Sequence, residues 1–242
     1  MSKKGPRRTR AWSVLAVGGI IASLLPFARA KFAPAMFASA TGDEATIATG
    51  YRIVVHGISP ERPSCSACHQ ENGAGQPEVG IPRLAGLTSS YIAAQLEFFA
   101  TGARHDPAMS PYAAMLTSVQ RQAVADYFAS LPVPEQPDPA QAGAATLDRG
   151  RTLFLDGNYR TGLLSCSDCH GRTGLGVGDF SPRLSGQSAD YVAQKLQQWQ
   201  SGDLRDPKGS FMRAEASHLS RSEIAALAAF VSSLRAKEAG QP

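Results

Sequence analysis

Beyond its first thirty residues the 242-residue sequence has no long apolar run, no surplus of positive charge, only four cysteines and no convincing pair of alternating strands. The missing apolar run leaves the N-terminus as the one place to look for a membrane span, which needs about 20 apolar residues. The missing charge surplus removes a nucleic-acid reading. The net charge of +4 rests on Lys3, Lys4, Arg7, Arg8, Arg10 and Arg29; without them 18 basic side chains face 20 acidic ones, a net of −2. The four cysteines do not read as a disulfide framework, because each half of the chain holds one Cys-x-x-Cys pair followed at once by His.

What is present begins with an export pattern. "SKKGPRRTR" is a basic leader, "AWSVLAVGGIIASLLPF" an apolar stretch, and "ARA" ending at Ala30 a small-x-small cleavage site. Residues 1–30 are therefore expected to be a signal peptide, with an uncleaved membrane anchor as the alternative, and 31–40 a tail. The apolar stretch is slightly short for a span and Pro26 interrupts it. The Arg7–Arg8 pair hints at a twin-arginine signal, but its flanking residues do not support one. Export places the protein in the periplasm.

The remainder is a duplication. "ATIATGYRIVVHG" from Ala45 matches "ATLDRGRTLFLDG" from Ala145, "CSACH" at 65 matches "CSDCH" at 166, and "PRLAGL" from Pro82 matches "PRLSGQ" from Pro182. "YIAAQLEFFATG" from Tyr91 matches "YVAQKLQQWQSG" from Tyr191, with the offset drifting only from 100 to 103. A repeat this long means two similar domains. They are placed at 41–131 and 146–237, joined by a Pro-rich linker at 132–145 whose prolines lack the N–H that a helix or central strand needs.

Each domain reads as all-α. Ile92, Leu96 and Phe99, and Val192, Leu196 and Trp199, are spaced by four then three, one face of a helix. Thr88 or Ser89 caps the first of these helices, and Gly102 and Gly202 end the two. Thr117 opens a final helix carrying Val124, Tyr127, Phe128 and Leu131; Ser220 opens its counterpart with a Ser-x-x-Glu capping box to Glu223. The first helix of each repeat, Ala45–Val55 and Ala145–Leu155, is expected to be shorter.

On a helical turn, residues i, i+3 and i+4 share a face. Cys65, Cys68 and His69 then point one way, as do Cys166, Cys169 and His170. Two thiols one turn apart can form thioethers with the two vinyl groups of a haem, and the adjacent imidazole can ligate its iron; this is the c-type haem signature. Three other readings compete. A zinc site from two Cys-x-x-Cys pairs has them about 15–20 residues apart, whereas these lie 101 apart. A redox dithiol belongs in a βαβ setting. Plain disulfides leave both histidines unexplained. Haem also adds apolar core to repeats of roughly ninety residues, a marginal size for a self-sufficient domain.

Haem iron has a second axial position, and Met there raises the reduction potential. Among Met36, Met109, Met115 and Met212, two lie in register: Met109 is seven residues before Leu116 and Met212 seven before Leu219. They are the expected axial ligands opposite His69 and His170, with Met115 and His218 in reserve. His56 and His105 have no partner in the other repeat. The carbonyls of Pro82 and Pro182 are candidate acceptors for the second N–H of each ligating imidazole. Arg83 and Arg183 either pair with haem propionates or are solvated residues of a shared turn.

On "CSACH", "PRLAG", "YIAAQL", "RHDPAM" and "LTSVQRQAVADYFASLP", with their partners "CSDCH", "PRLSG", "YVAQKL", "GSFM" and "LSRSEIAALAAFVSSL", the chain resembles a dihaem class I cytochrome c, similar to the cytochrome c4 group. The resemblance implies two tandem cytochrome c-type domains, two covalently bound haem c groups, thioethers at Cys65, Cys68, Cys166 and Cys169, and axial ligands His69, Met109, His170 and Met212. It implies an electron carrier working with redox proteins such as a terminal oxidase, a cytochrome bc1-type complex or a dehydrogenase. A cytochrome subunit of a periplasmic dehydrogenase is the second reading, and a dihaem peroxidase a more distant third. Gln70 departs from the family pattern, which has Gly after the haem His, as Gly171 does.

Overall fold

The structure is a computed structural model that describes residues 44–60, 62–134, 142–179, 181–203 and 209–235. The expected export signal and tail lie outside the described residues, as do 135–141 of the linker. Among the described residues no helix is long and apolar enough to cross a membrane.

The first repeat holds α1 (Glu44–His56), α2 (Ser66–His69), α3 (Ser89–Thr101), α4 (Met109–Met115) and α5 (Ser118–Ser130). The second holds α6 (Ala144–Asp156), α7 (Cys166–His170), α8 (Ala189–Ser201), α9 (Ser210–Ser217) and α10 (Arg221–Ser233). Among the described residues the only β pairing is isolated bridges. The caps expected from sequence are in place: Thr88 accepts from Tyr91 N, and Ser220 and Glu223 close a capping box. Thr117 and Gln120 close a second box, which the Gln-for-Glu variant of the motif had hidden. The first helix of each repeat is not short. At 13 residues, α1 and α6 match the other long helices.

Those two helices are fixed by a close crossing. A Cβ on Gly50 would lie 2.0 Å from Ala123 O of α5, and one on Gly150 2.1 Å from Ala226 O of α10. Only glycine lets the backbones approach so closely, and Tyr127 and Phe230 flank the two contacts at matching positions. Gly150→Val has to push α6 off α10. We expect the holoprotein to lose about 3 kcal/mol or more in denaturant titration, overpacking outweighing the helix propensity gained.

Each repeat has its own core. Ile53, Val54, Ile92, Leu96, Phe99, Val124 and Phe128 centre the first; Leu153, Phe154, Leu196, Ile224, Leu227 and Val231 centre the second. The repeats meet at a polar seam. There α8 packs against the 3-10 turn Pro77–Val79, and Ser90 Oγ donates to Asp179 Oδ1 at 2.5 Å.

Candidate haem sites

Each Cys-x-x-Cys-His unit occupies one helical turn. His69 N and Cys68 N donate to Cys65 O at 2.9 and 3.2 Å, so the three side chains share a face. In the second repeat Ser165 caps the turn, its hydroxyl accepting from Asp168 N at 3.2 Å. All four thiols are free. Cys65 and Cys166 are half-buried against the core of their own repeat, while Cys68 and Cys169 are exposed. Burial pushes the Cys65 thiol up, and burial, with Glu215 adding to it, pushes Cys166 up to about 12. A redox dithiol or a zinc ligand needs the opposite shift, toward thiolate. Among the described residues no group of three or more His, Cys, Asp or Glu is placed to hold a metal ion.

The imidazoles are prepared in the same way in both repeats. His69 Nδ1 lies 3.1 Å from Pro82 O and His170 Nδ1 lies 2.9 Å from Pro182 O. A carbonyl only accepts, so Nδ1 carries the hydrogen and Nε2 keeps its lone pair. Burial lowers the pKa of both rings, opposed in part by that carbonyl bond, and holds them neutral. A neutral ring, oriented by a bond at Nδ1, with Nε2 as donor, is what ligation of a metal from one side requires. The loop from motif to proline is duplicated as well, with Leu84 N bonded to Gly73 O at 2.8 Å and Leu184 N to Gly174 O at 2.7 Å.

Gln70 follows the glycine path. Its φ of 61° and ψ of 157° repeat the 75° and 151° of Gly171, and it is the single positive-φ residue other than glycine among those described. That region belongs almost wholly to glycine and costs a side chain on the order of 1–3 kcal/mol. Gln70 Nε2 donates to Gly75 O at 2.7 Å and offsets part of this. Gln70→Gly should therefore raise the holoprotein's stability by about 1 kcal/mol, read as a higher unfolding midpoint.

Met109 opens α4, its N–H bonded to Asp106 Oδ1 at 2.9 Å, and Met212 lies in the first turn of α9. Each is partly buried against the core of its own repeat, as is that repeat's first cysteine. The reserves are placed differently, although Met115 lines one cavity with Cys65. Met115 is 38% exposed beside Tyr112, and His218 ends α9 against Gly162.

Arg83 is not a solvated turn residue, being 1% exposed. Its guanidinium donates to Ala85 O and, across the seam, to Ser185 O at 2.8 Å. Arg183 donates through Nε to Ser185 Oγ at 3.0 Å. Burial, and then the neighbouring charge of Arg183, lower Arg83 to about 10. Among the described residues the only salt bridges are Arg121–Glu97 and Arg149–Glu223, so no carboxylate answers this cationic pair. Arg83 Nε and Trp199 Nε1 are buried without a hydrogen-bond partner. Orphan donors and two adjacent cations, Arg83 buried and Arg183 half-buried, fit an acidic prosthetic group, and a haem with its propionates supplies those acceptors.

Free paired thiols, a neutral oriented imidazole and a helical frame, each present twice, define a c-type haem protein. The chain belongs to the cytochrome c family, whose profile matches residues 55–132 and 147–235, one copy to each repeat. It is 42% identical over 151 residues to the thiosulfate dehydrogenase electron acceptor of Thiomonas intermedia (strain K12), covering 62% of this chain and 69% of that one. The protein of the same name from Stutzerimonas stutzeri (strain A1501) is 34% identical over 199 residues, 82% of this chain and 92% of the relative. Cytochrome c4 of Thiocapsa roseopersicina is 39% identical over 176 residues, 70% of this chain and 86% of the relative.

Two solved structures share the fold. The as-isolated thiosulfate dehydrogenase of Marichromatium purpuratum superposes with a TM-score of 0.70 at 35% identity. The match covers 77% of this chain but only 40% of that one. Reduced recombinant cytochrome c4 of Pseudomonas stutzeri superposes with a TM-score of 0.66 at 27% identity, over 78% of this chain and 97% of that one. The chain is thus a dihaem electron-transfer cytochrome, with one covalent haem c to each repeat.

Sequence reasoning missed two functional features. One is the glycine crossing at Gly50 and Gly150, although both glycines stand at matching places in the first aligned segment. The other is Gln187, which stands where Leu87 does at the end of "PRLAGL" against "PRLSGQ".

Proposed function

We propose that the chain is a periplasmic electron carrier that accepts single electrons from a dehydrogenase of the thiosulfate-oxidising kind and passes them to a respiratory acceptor. It performs no substrate turnover of its own. His69 and Met109 bind one iron, His170 and Met212 the other. When bound, haem c supplies a one-electron iron couple, and His/Met ligation holds it at high potential.

The chain's own groups do the rest. Cys65 with Cys68, and Cys166 with Cys169, fix the two macrocycles. Pro82 O and Pro182 O orient the imidazoles at Nδ1. Arg83 and Arg183 offset propionate charge at the seam between the repeats. The observation that carries this reading is the duplicated, neutral, carbonyl-oriented imidazole beside two free thiols.

A general shuttle of the cytochrome c4 kind, working between a cytochrome bc1-type complex and a terminal oxidase, is the second reading. The dehydrogenase-linked reading is favoured by the Stutzerimonas acceptor, which aligns over 82% of this chain and 92% of its own length. A peroxidase needs an openable iron position, and each repeat offers a methionine in register to close it. The test is to mix ferric holoprotein with a thiosulfate dehydrogenase and thiosulfate. Rapid reduction of both haems is expected; reduction no faster than that of an unrelated monohaem cytochrome c would contradict the proposal.

A further inference from the structure

The peptide between Pro82 and Arg83 is engaged at both ends. Its carbonyl oxygen lies 3.1 Å from His69 Nδ1, and its N–H donates to Gln187 Oε1 at 3.0 Å, from one repeat to the other. Gln187 Nε2 donates back to Arg83 O at 3.0 Å. One buried amide, 4% exposed, thus grips both backbone groups of Arg83. The same oxygen also accepts from Ser188 N at 3.1 Å, which holds the amide in orientation.

A peptide whose N–H donates becomes a better acceptor at its C=O, because hydrogen bonds in a chain polarise one another. A better acceptor at Pro82 O draws the Nδ1 proton of His69 and makes its other nitrogen a stronger donor. A stronger donor favours ferric over ferrous iron and lowers the potential of that site. The second repeat has no equivalent. Leu87 stands where its twin has Gln187, and a leucine side chain offers nothing to the Pro182–Arg183 peptide.

We propose that Gln187 of the second repeat is a positioning residue for the first haem site. It strengthens the His69–Pro82 hydrogen bond through one shared peptide, and so makes two otherwise duplicated sites inequivalent. The proposal rests on His69 being an iron ligand. That premise has its own readout: in ferric wild-type holoprotein the His69 ring resonances must be hyperfine-shifted, and unshifted ones overturn the ligand assignment whatever Gln187 does.

The test uses full-length holoprotein carrying Gln187→Met, which keeps the shape and removes the amide. In the reduced state the His69 Nδ1–H proton should move upfield while that of His170 stays. In a redox titration followed at each haem's own NMR lines, the potential of the first haem should rise and that of the second stay. Ser90→Ala, which removes a different bond across the seam, should move neither proton. Gln187→Glu keeps an acceptor for Arg83 N and makes it stronger, so the His69 proton should move downfield. An unmoved His69 proton in both Gln187 variants, equal shifts at both histidines, or the same shifts from Ser90→Ala would overturn the proposal.

Discussion

Met109→His should lower the potential of the first haem and leave the second where it was, with both haems still attached. Replacing the soft, neutral thioether by a second imidazole withdraws the preference for ferrous iron. The expected drop is on the order of 100 mV or more, a modest share of the roughly 0.8 V that axial ligands span. Met212→His should do the same to the second haem. Both methionines lie against the core of their own repeat, so neither substitution should reach the other site. A potentiometric titration of each variant reads the result, and two unmoved potentials would remove both methionines from the iron. Met115→His is the natural control, because Met115 is 38% exposed and should leave both potentials unchanged.

The second large effect is loss of a whole site. Cys65→Ala with Cys68→Ala removes both thioether anchors of the first repeat, and the pyridine-haemochrome count should fall from two haems per chain to one. That repeat then loses the apolar group on which its small core depends, and its helices should melt well below those of the second repeat. Far-UV circular dichroism during heating should show an early transition that the parent protein lacks. An unchanged haem count would mean that these cysteines do not hold the cofactor.

Much of this was legible from residues alone, and the exceptions have physical reasons. Helices α3, α5, α8 and α10 announce themselves through four-then-three apolar spacing and a Ser or Thr cap, and the structure places them there. Helices α4 and α9 carry Met109 and Met212, but their N-cap residues, Ala108 and Gly209, offer no side-chain cap, so only the register of the repeat pointed to those methionines. Gly50 and Gly150 look like weak points in their helices, since glycine lowers helix propensity. Their reason is the backbone of another helix more than seventy residues away, at Ala123 and Ala226. Gln70 looked like a departure from the turn that Gly171 makes, yet it adopts the same backbone path, held by a bond to Gly75 O. Gln187 was invisible because its partner is a peptide 104 positions earlier, and no local pattern encodes such a pairing.

The carrier proposed above holds two haems, each closed by a histidine and a methionine. Spectropotentiometric titration of purified holoprotein, with haem counting on the same sample, tests it most directly. Two low-spin haems per chain are expected, both showing the long-wavelength charge-transfer band of Met-ligated ferric iron, and both reversible in one-electron steps. A single haem, or a high-spin haem that readily binds added cyanide, would contradict it.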